Sequence, residues 1–352
     1  MNNVLQLLIS MSILFTGGLL FIFIFNRAIV KTECRTRKII FGALLMLLTF
    51  IPFILSLYLH QYFAYIFILL VIIFLIINGI KTIFLKAKYY APPAYNITDV
   101  SHNQIDKTPY LTTQSLQKKY HKLFFPDLNE PIKIVQISDI HITDCLPMSY
   151  FQNVMKQVEE ENPDILVITG DFIDRPTHFP LIKKMLRPVG KHANLFIFGN
   201  HDIWQEPEPL AAQLEELGFT RMTNNRHNLK IKSSILSLNS YEKPWNKKHK
   251  IPEIDTDAHV NICLTHTADN IHKLAEKEFD VVMTGHYHGG QWRLPIFGSV
   301  IIPSFFGRLF DMGHFMVKKT HLFVNTGIGL AHPACRINCP PEIIVLELEC
   351  DD

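Results

Sequence analysis

The sequence predicts an α/β fold, a sandwich with mixed β-sheets, preceded by apolar helices that span a membrane. From Ile132 onward, short β-like runs alternate with helical stretches, and β-like runs dominate the last third of the chain. The segments 1–26 and 39–80 contain no Asp, Glu, Lys or Arg, although the chain has 34 basic and 32 acidic residues. These features exclude a simple soluble enzyme, a disordered chain and a disulfide-linked secreted module.

The charge-free segments predict about three transmembrane helices, over 4–25, 39–59 and 62–80. Roughly 20 apolar residues cross a bilayer as a helix, so the segment 39–80 is too long for one span and is divided at His60-Gln61. A cleaved signal peptide is the alternative for the first span. It is disfavoured because the basic residues follow the apolar run instead of preceding it. Residues 1–88 are therefore the predicted membrane anchor.

Basic residues near the span ends predict the orientation of the chain. They lie between the first two spans and after the third, and the loop between spans two and three has none: Arg27, Lys31, Arg35, Arg37, Lys38, Lys81, Lys86 and Lys88. Because Lys and Arg favour the cytoplasmic side, the N-terminus is predicted outside. Everything after residue 81 is predicted in the cytoplasm.

The remaining composition argues against a nucleic-acid partner and against a zinc site made of cysteines. A net charge of +2 gives no basis for a nucleic-acid partner. The six cysteines are scattered; Cys335 and Cys339 are four positions apart, but no second pair completes a zinc site. Reduced cytosolic thiols are the preferred interpretation.

Residues 89–130 are predicted as a linker, because they contain Pro92-Pro93, many polar residues and little periodicity. A short helix is expected within it over Gln114–Leu123. The domain 131–352 follows. Its predicted strands cover 132–138, 164–169, 194–198, 219–222, 229–238, 260–264, 281–283, 321–324 and 343–348, and its predicted helices cover 148–161, 181–186 and 210–217.

Five short motifs stand where predicted strands end. They are Ser138-Asp139-Ile140-His141, Gly170-Asp171-Phe172-Ile173-Asp174, Gly199-Asn200-His201-Asp202, Thr265-His266-Thr267 and Gly285-His286-Tyr287-His288-Gly289-Gly290. Loops after the carboxyl ends of strands converge on one crevice in open α/β sheets. Two Asp, one Asn and four His suit Mn, Fe or Zn better than Ca. Seven ligands exceed one tetrahedral site and match two metals bridged by a carboxylate. A lone histidine is more often a packed core residue, but the ordered set argues against that interpretation.

This ordered set closely resembles the calcineurin-like metallophosphoesterase family, from about Ile132 to the C-terminus. Three further segments are similar to its bacterial membrane-anchored YkuE-like branch: 289–295, 325–329 and 336–343. The resemblance implies a four-layered αββα sandwich. Tyr287 and Asn325-Thr326 depart from the residues common in the branch. Those departures concern substrate preference, since neither position is a ligand.

The resemblance also implies a role for each site residue. Asp139, His141, Asp171 and His288 would hold one metal, and Asp171, Asn200, His266 and His286 would hold the other. The implied cofactors are two divalent ions, Mn, Fe, Zn or Mg, with Mn the first choice. A water or hydroxide between the ions would be the nucleophile. His201 would donate a proton or hydrogen bond to the departing oxygen, and Asp174 would orient it.

The expected activity is phosphoester or pyrophosphate hydrolysis at a bacterial inner membrane, with the lipid bilayer and a lipid-linked phosphate as partners. The leading substrate is UDP-2,3-diacylglucosamine, cleaved to lipid X and UMP in lipid A synthesis, since the chlamydial-type enzyme looks like this branch. The alternatives are a broad phosphodiesterase or phosphatase and a non-catalytic scaffold. A transporter is disfavoured because the spans contain no charged residue. The loop 301–310 either packs in the core or meets acyl chains, and Lys243–Lys250 is either a headgroup site or a solvated loop.

Overall fold

The computed structural model describes residues 3–28, 35–58, 61–100, 110–205, 207–223, 226–295 and 297–350. The chain divides into two compact units. One contains residues 1–89 and 301–309, and the other contains residues 90–300 and 310–352. The predicted linker 89–130 is thus almost entirely part of the second unit.

The first unit contains the helices α1 (Asn3–Ala28), α2 (Arg35–Tyr58) and α3 (Gln61–Tyr89). Ile9 and Ile13 of α1 pack against Ala64 of α3. Among the described residues, two helical stretches are long and apolar enough to cross a membrane, Gln6–Ala28 and Ala64–Tyr89. The described apolar stretch of α2 is shorter, Ile39–Ile54, so the second span stays a prediction. Lys31, Leu59 and His60 lie outside the described residues.

The second unit is built from two mixed sheets. Its strands are β1 (Asn96–Asp99), β2 (Gln117–Phe124), β3 (Ile132–Ile137), β4 (Ile165–Ile168), β5 (Ala193–Phe196), β6 (Thr220–Arg221), β7 (His227–Ile231), β8 (Ser234–Ser240), β9 (Val260–Leu264), β10 (Val281–Thr284), β11 (Arg293–Leu294), β12 (Gly298–Ser299), β13 (Gly313–Val317), β14 (Thr320–Val324) and β15 (Glu342–Glu349). One sheet has the order β1-β2-β15-β3-β4-β5-β6 and the other β13-β14-β10-β9-β8-β7, while β11 and β12 form a separate hairpin.

Helices accompany the two sheets. They are α4 (Met148–Glu160), α5 (Phe179–Met185), α6 (Asn200–Trp204), α7 (Pro207–Glu216) and α8 (Ile271–Glu276). Alternate residues of β3 point in opposite directions, as strand geometry requires. Val135 shares an apolar cluster with α4 residues such as Phe151, whereas Ile134 shares one with residues of the second sheet, including Leu264 of β9. Helix α4 packs on the first sheet, and α8 contacts strands β13 and β14 of the second. The predicted sandwich of mixed sheets and helices is therefore confirmed.

Two local predictions were wrong. The segment 114–123 is not a helix, because residues 117–124 form β2, which pairs in parallel with β15. The expected linker therefore contains strands β1 and β2 of the seven-stranded sheet. The run 229–238 is not one strand but the hairpin β7–β8. The chain turns at Lys232, which has a positive φ of 49°.

Candidate dinuclear metal centre

The two sheets bring the five motifs together at the carboxyl ends of parallel strands. Asp139 and His141 follow β3, Asp171 and Asp174 follow β4, Asn200 and His201 begin α6 after β5, His266 follows β9, and His286 and His288 follow β10. Strands β3, β4 and β5 are mutually parallel neighbours, and so are β9 and β10. The topology therefore places the ligands from both sheets at one edge, as expected for sites of α/β sheets.

The backbone at this edge is strained. Five of the predicted ligands have φ in the left-handed region, which non-glycine residues rarely adopt: Asp139 at 50°, His141 at 39°, Asp171 at 58°, His286 at 74° and His288 at 49°. Such conformations cost of order 1–3 kcal/mol each and cluster at functional sites. The fold holds these side chains in a fixed convergent arrangement.

Asp171 lies at the centre of the cluster. Its Oδ2 is 3.1 Å from His266 Nε2 and 3.5 Å from His141 Nε2. Its Oδ1 accepts a hydrogen bond from the backbone N–H of His201. Nearby, Asp139 Oδ1 is 3.3 Å from His288 Nε2. This position between the two groups of donors is the one that a bridging carboxylate requires.

The donor set fits metal ions, because carboxylate oxygens and imidazole nitrogens face one another in a buried space. The Nδ1 of His266 contacts the Thr169 carbonyl oxygen at 2.6 Å, so it carries a proton, and Nε2 is the nitrogen turned toward the Asp171 carboxylate, 3.1 Å away. A cation at that contact, a proton or a metal ion, stabilises the carboxylate. The buried Asn200 Oδ1 has no hydrogen-bond partner among the described residues, and because an unsatisfied buried polar atom is costly, a cation would satisfy it.

Three groups of the described residues place potential ligand atoms within 4.8 Å of one another. The groups are Asp139, His141 and His288; His141, Asp171 and His201; and Asp171, His266 and His286. Six of the seven predicted ligands therefore lie in one region with His201. Asn200, the seventh, precedes His201 in the chain, and its Oδ1 has no hydrogen-bond partner among the described residues.

The site is electrostatically coupled. Burial lowers the pKa of His141 and His266, but neighbouring carboxylates outweigh it: the pKa of His141 is well above its ordinary value and that of His266 is raised to about 9. Burial raises the pKa of Asp171, but the nearby histidines hold it well below its usual range. Burial, with the charges of His141 and Arg336, lowers the pKa of His288. When no metal is bound, protonated histidines thus supply the positive charge that stabilises the buried carboxylates.

Asp174 contacts two histidines at once. Its Oδ1 lies 2.7 Å from His201 Nδ1 and 2.7 Å from His141 Nδ1. Both rings therefore direct Nε2 away from Asp174, and the two rings lie 4.7 Å apart edge to face. The side chain of His201 keeps 35% of its surface exposed, against 1% for His141. Of the two, His201 is the one that a substrate can reach.

The structure adds three residues that the motifs alone did not assign. The buried carboxylate of Asp202 accepts the backbone N–H groups of Asp171, Phe172 and Gly199, and so ties two site loops together. Its presence in the Gly-Asn-His-Asp motif was the available signal. The fully buried Arg336 donates to the carbonyl oxygens of Thr326, Gly327 and Gly329.

Arg336 also reaches a predicted ligand, since its Nη2 lies 3.4 Å from His288 Nδ1. The third residue is Trp245, whose ring lies 4.8 Å from that of His286 and 5.4 Å from that of His266. No local spacing connects residues 245 and 336 to the motifs, because only the folded chain brings them there.

Known proteins share these features. Residues 132–290 match the calcineurin-like phosphoesterase family. The chain is 30% identical over 262 residues to the uncharacterized metallophosphoesterase YkuE of Bacillus subtilis, covering 68% of this chain and 88% of that one. It is 28% identical over 235 residues to phosphodiesterase YaeI of Escherichia coli, covering 65% and 86%.

A third relative is named for its substrate. Over 282 residues the chain is 26% identical to the UDP-2,3-diacylglucosamine pyrophosphatase LpxG of Chlamydia trachomatis, covering 61% of this chain and 83% of that one. The motifs, the convergent donors and these relatives agree. The chain belongs to the calcineurin-like metallophosphoesterases and is a metal-dependent phosphoester hydrolase.

Proposed function

We propose that this protein is a membrane-anchored dinuclear-metal hydrolase that cleaves the pyrophosphate of UDP-2,3-diacylglucosamine to lipid X and UMP. The observation that carries the hydrolytic part is the convergence of buried carboxylate and imidazole ligand atoms around Asp171, together with the unpaired Asn200 Oδ1. The similarity to LpxG supports the substrate. The apolar helices support the attachment to a bilayer that holds such a lipid.

Asp171 would belong to both ligand sets. One ion would be held by Asp171 with Asp139, His141 and His288. The other ion would be held by Asp171 with Asn200, His266 and His286. When bound, the ions lower the pKa of water and neutralise phosphate charge. The proposed ions are Mn, Fe, Zn or Mg, and Mn is the first to test.

The protein residues perform the rest of the reaction. A water oxygen forms a bond to phosphorus and releases a proton to solvent, the bond from phosphorus to the bridging oxygen breaks, and the departing oxygen takes up a proton. His201 supplies that proton from Nε2, because Nδ1 is engaged by Asp174 at 2.7 Å. Asp174 keeps the ring in one orientation, so it acts through His201 instead of on the substrate.

Residues 1–88 are proposed as the anchor, residues 131–352 as the hydrolase domain, and the cytoplasm as the side of the active site. Lys81, Lys86 and Lys88 lie toward the C-terminal end of α3 and support that orientation. The loop 301–309 belongs to the unit of the apolar helices. It exposes Ile301 and Phe305 while burying Ile302, so part of it packs and part is available to lipid.

A broad phosphodiesterase is the second candidate, favoured by the similarity to YaeI. Detergent-purified protein with Mn²⁺ should release UMP from UDP-2,3-diacylglucosamine, measured by chromatography. Asp171→Ala should release none and should bind neither ion, measured by elemental analysis, because Asp171 serves both ligand sets. Turnover of bis-p-nitrophenyl phosphate without UMP release would favour the broad enzyme. Failure to bind metal or to hydrolyse either compound would favour a scaffold.

A further inference from the structure

The segment 241–250, here called the Trp245 loop, lies against one half of the candidate metal centre. The Trp245 ring approaches both His266 and His286 at steep angles, 66° and 65° between ring planes. Its side chain is half-buried. The indole therefore forms a wall beside two predicted ligands of the same ion and keeps part of its surface open.

A buried carboxylate fixes this loop to the neighbouring site loop. Glu242 has no exposed surface, and its Oε1 accepts the backbone N–H of Phe198 at 2.9 Å. Its Oε2 accepts the side-chain amide of Asn246 at 2.9 Å and lies 3.2 Å from His249 Nε2. Phe198 directly precedes Gly199, so the loop is held in register with the ligand Asn200.

A second tether holds the other side of the loop. Asn270 donates from its side-chain amide to the Lys243 carbonyl oxygen at 2.8 Å. Both tethers are made by side chains that are nearly or fully buried. The position of Trp245 is thus set before any substrate arrives, which lowers the entropic cost of binding to it.

Four lysines neighbour Trp245 in the sequence. Lys243, Lys247, Lys248 and Lys250 lie within the loop, and the last three are exposed. The one acidic residue of the loop, Glu242, is buried and engaged. This arrangement suits an anionic ligand with a flat ring, whereas an acyl chain would avoid the charges. A membrane surface would be contacted by an indole that points away from the metal ligands, not one packed on them.

We propose that Trp245 stacks against the nucleoside base of a nucleotide whose phosphate lies at the metal centre. The inference rests on the proposed function, because it places the uridine end of the substrate beside His266 and His286. Stacking on aromatic side chains tolerates any base, since every base has a π-face. The four lysines give the loop positive charge, which favours the charged phosphates of the same ligand through long-range electrostatic attraction.

Two phosphate ligands that differ in the base test this subsite. UMP and ribose 5-phosphate are titrated calorimetrically into the Mn²⁺-loaded full-length protein and its variants. Trp245→Ala should weaken UMP binding about 10-fold or more and leave ribose 5-phosphate binding and manganese content unchanged. Trp245→Phe should restore most of the UMP affinity. Trp292→Ala is the matched control, because that indole donates to the Cys335 carbonyl oxygen outside the site and should alter neither ligand.

The outcomes distinguish base binding by Trp245 from mere support of the histidines. They also test the subsite separately from the proposed substrate. Equal weakening of both ligands, or loss of manganese, would mean that Trp245 only supports the histidines and would overturn the subsite. Unchanged UMP affinity in Trp245→Ala would also overturn it. A base preference that depends on Trp245, found in a protein that releases no UMP from UDP-2,3-diacylglucosamine, would support the subsite and reject the substrate.

Discussion

His201 is expected to serve proton transfer and not metal binding. Because His201 Nδ1 is engaged by Asp174, Nε2 is left to protonate the departing oxygen. We expect His201→Ala to retain both metals and to lose about 10²–10⁴-fold in kcat on an alkyl phosphodiester. The loss should be much smaller on a p-nitrophenyl ester, whose leaving group needs little protonation. Steady-state rates on both esters, with elemental analysis, check this.

The exposed His192 provides the matched control, and His192→Ala should change neither rate. Full activity of His201→Ala on the alkyl ester would contradict the assigned role. An equal loss on both esters with the metals in place would point instead to substrate binding.

Gly199 tests how tightly the second ligand set is packed. A Cβ added there would lie 2.2 Å from Asp171 Oδ1 and 2.7 Å from His266 Cε1. Since both neighbours are buried, we expect Gly199→Ala to lower the metal content and to destabilise the fold by about 1–3 kcal/mol. Elemental analysis and thermal unfolding measure the two effects. Gly79→Ala, where nothing lies within 4 Å of the added atom, should do neither, and a fully metallated, active Gly199→Ala protein would refute the packing argument.

The sequence predicts the candidate ligands, but it does not reveal all of the residues that support them. Asp139 and His141 leave one strand end together, so spacing alone connects them. Glu242 acts on a residue far away in the chain by accepting a buried hydrogen bond from the Phe198 backbone N–H, and Trp245 does so through ring contacts with His266 and His286. No local pattern records such a contact, because it exists only after two strands of different sheets have been brought together.

Strand β13 carries a buried histidine contact that makes this unit sensitive to acid. His314 Nε2 lies 2.9 Å from His321 Nδ1, and its Nδ1 contacts the Pro92 carbonyl oxygen. The ring of His121 lies 5.5 Å from that of His314. Burial, the first cause in each case, lowers the pKa of His121 to about 4 and that of His314 to about 3.

These lowered pKa values give the direction of the pH dependence. The unfolded histidines titrate near 6.5, so their contribution to stability is present above that pH and is lost as pH falls toward 4 and 3. Each histidine adds up to about 1.4 kcal/mol per pH unit to the slope of the unfolding free energy against pH. Thermal unfolding measures this dependence as the midpoint at pH 7 minus the midpoint at pH 5. The difference should shrink in His314→Phe, and an undiminished difference would exclude His314 as a source.

Strand β2 shows why part of the fold escaped prediction. Its sequence carries three lysines and a histidine in eight residues, which is not typical of a strand inside a sheet. The ion pair of Lys118 with Glu161, at 2.6 Å, and the pair of Lys119 with Glu342 make that position tolerable. Both partners come from other elements, so the neutralisation of these charges is not visible in the local sequence.

The whole molecule combines a unit of apolar helices with a unit that contains all five motifs. The charge bias around the apolar segments predicts that the second unit faces the cytoplasm. In a bacterial host, a C-terminal epitope tag should therefore survive protease added to spheroplasts and disappear once the membrane is permeabilised, as seen by immunoblotting. A periplasmic protein digested in the same spheroplasts shows that the protease is active. Loss of the tag from sealed spheroplasts would place the hydrolase outside, where a cytoplasmic nucleotide-linked lipid could not reach it.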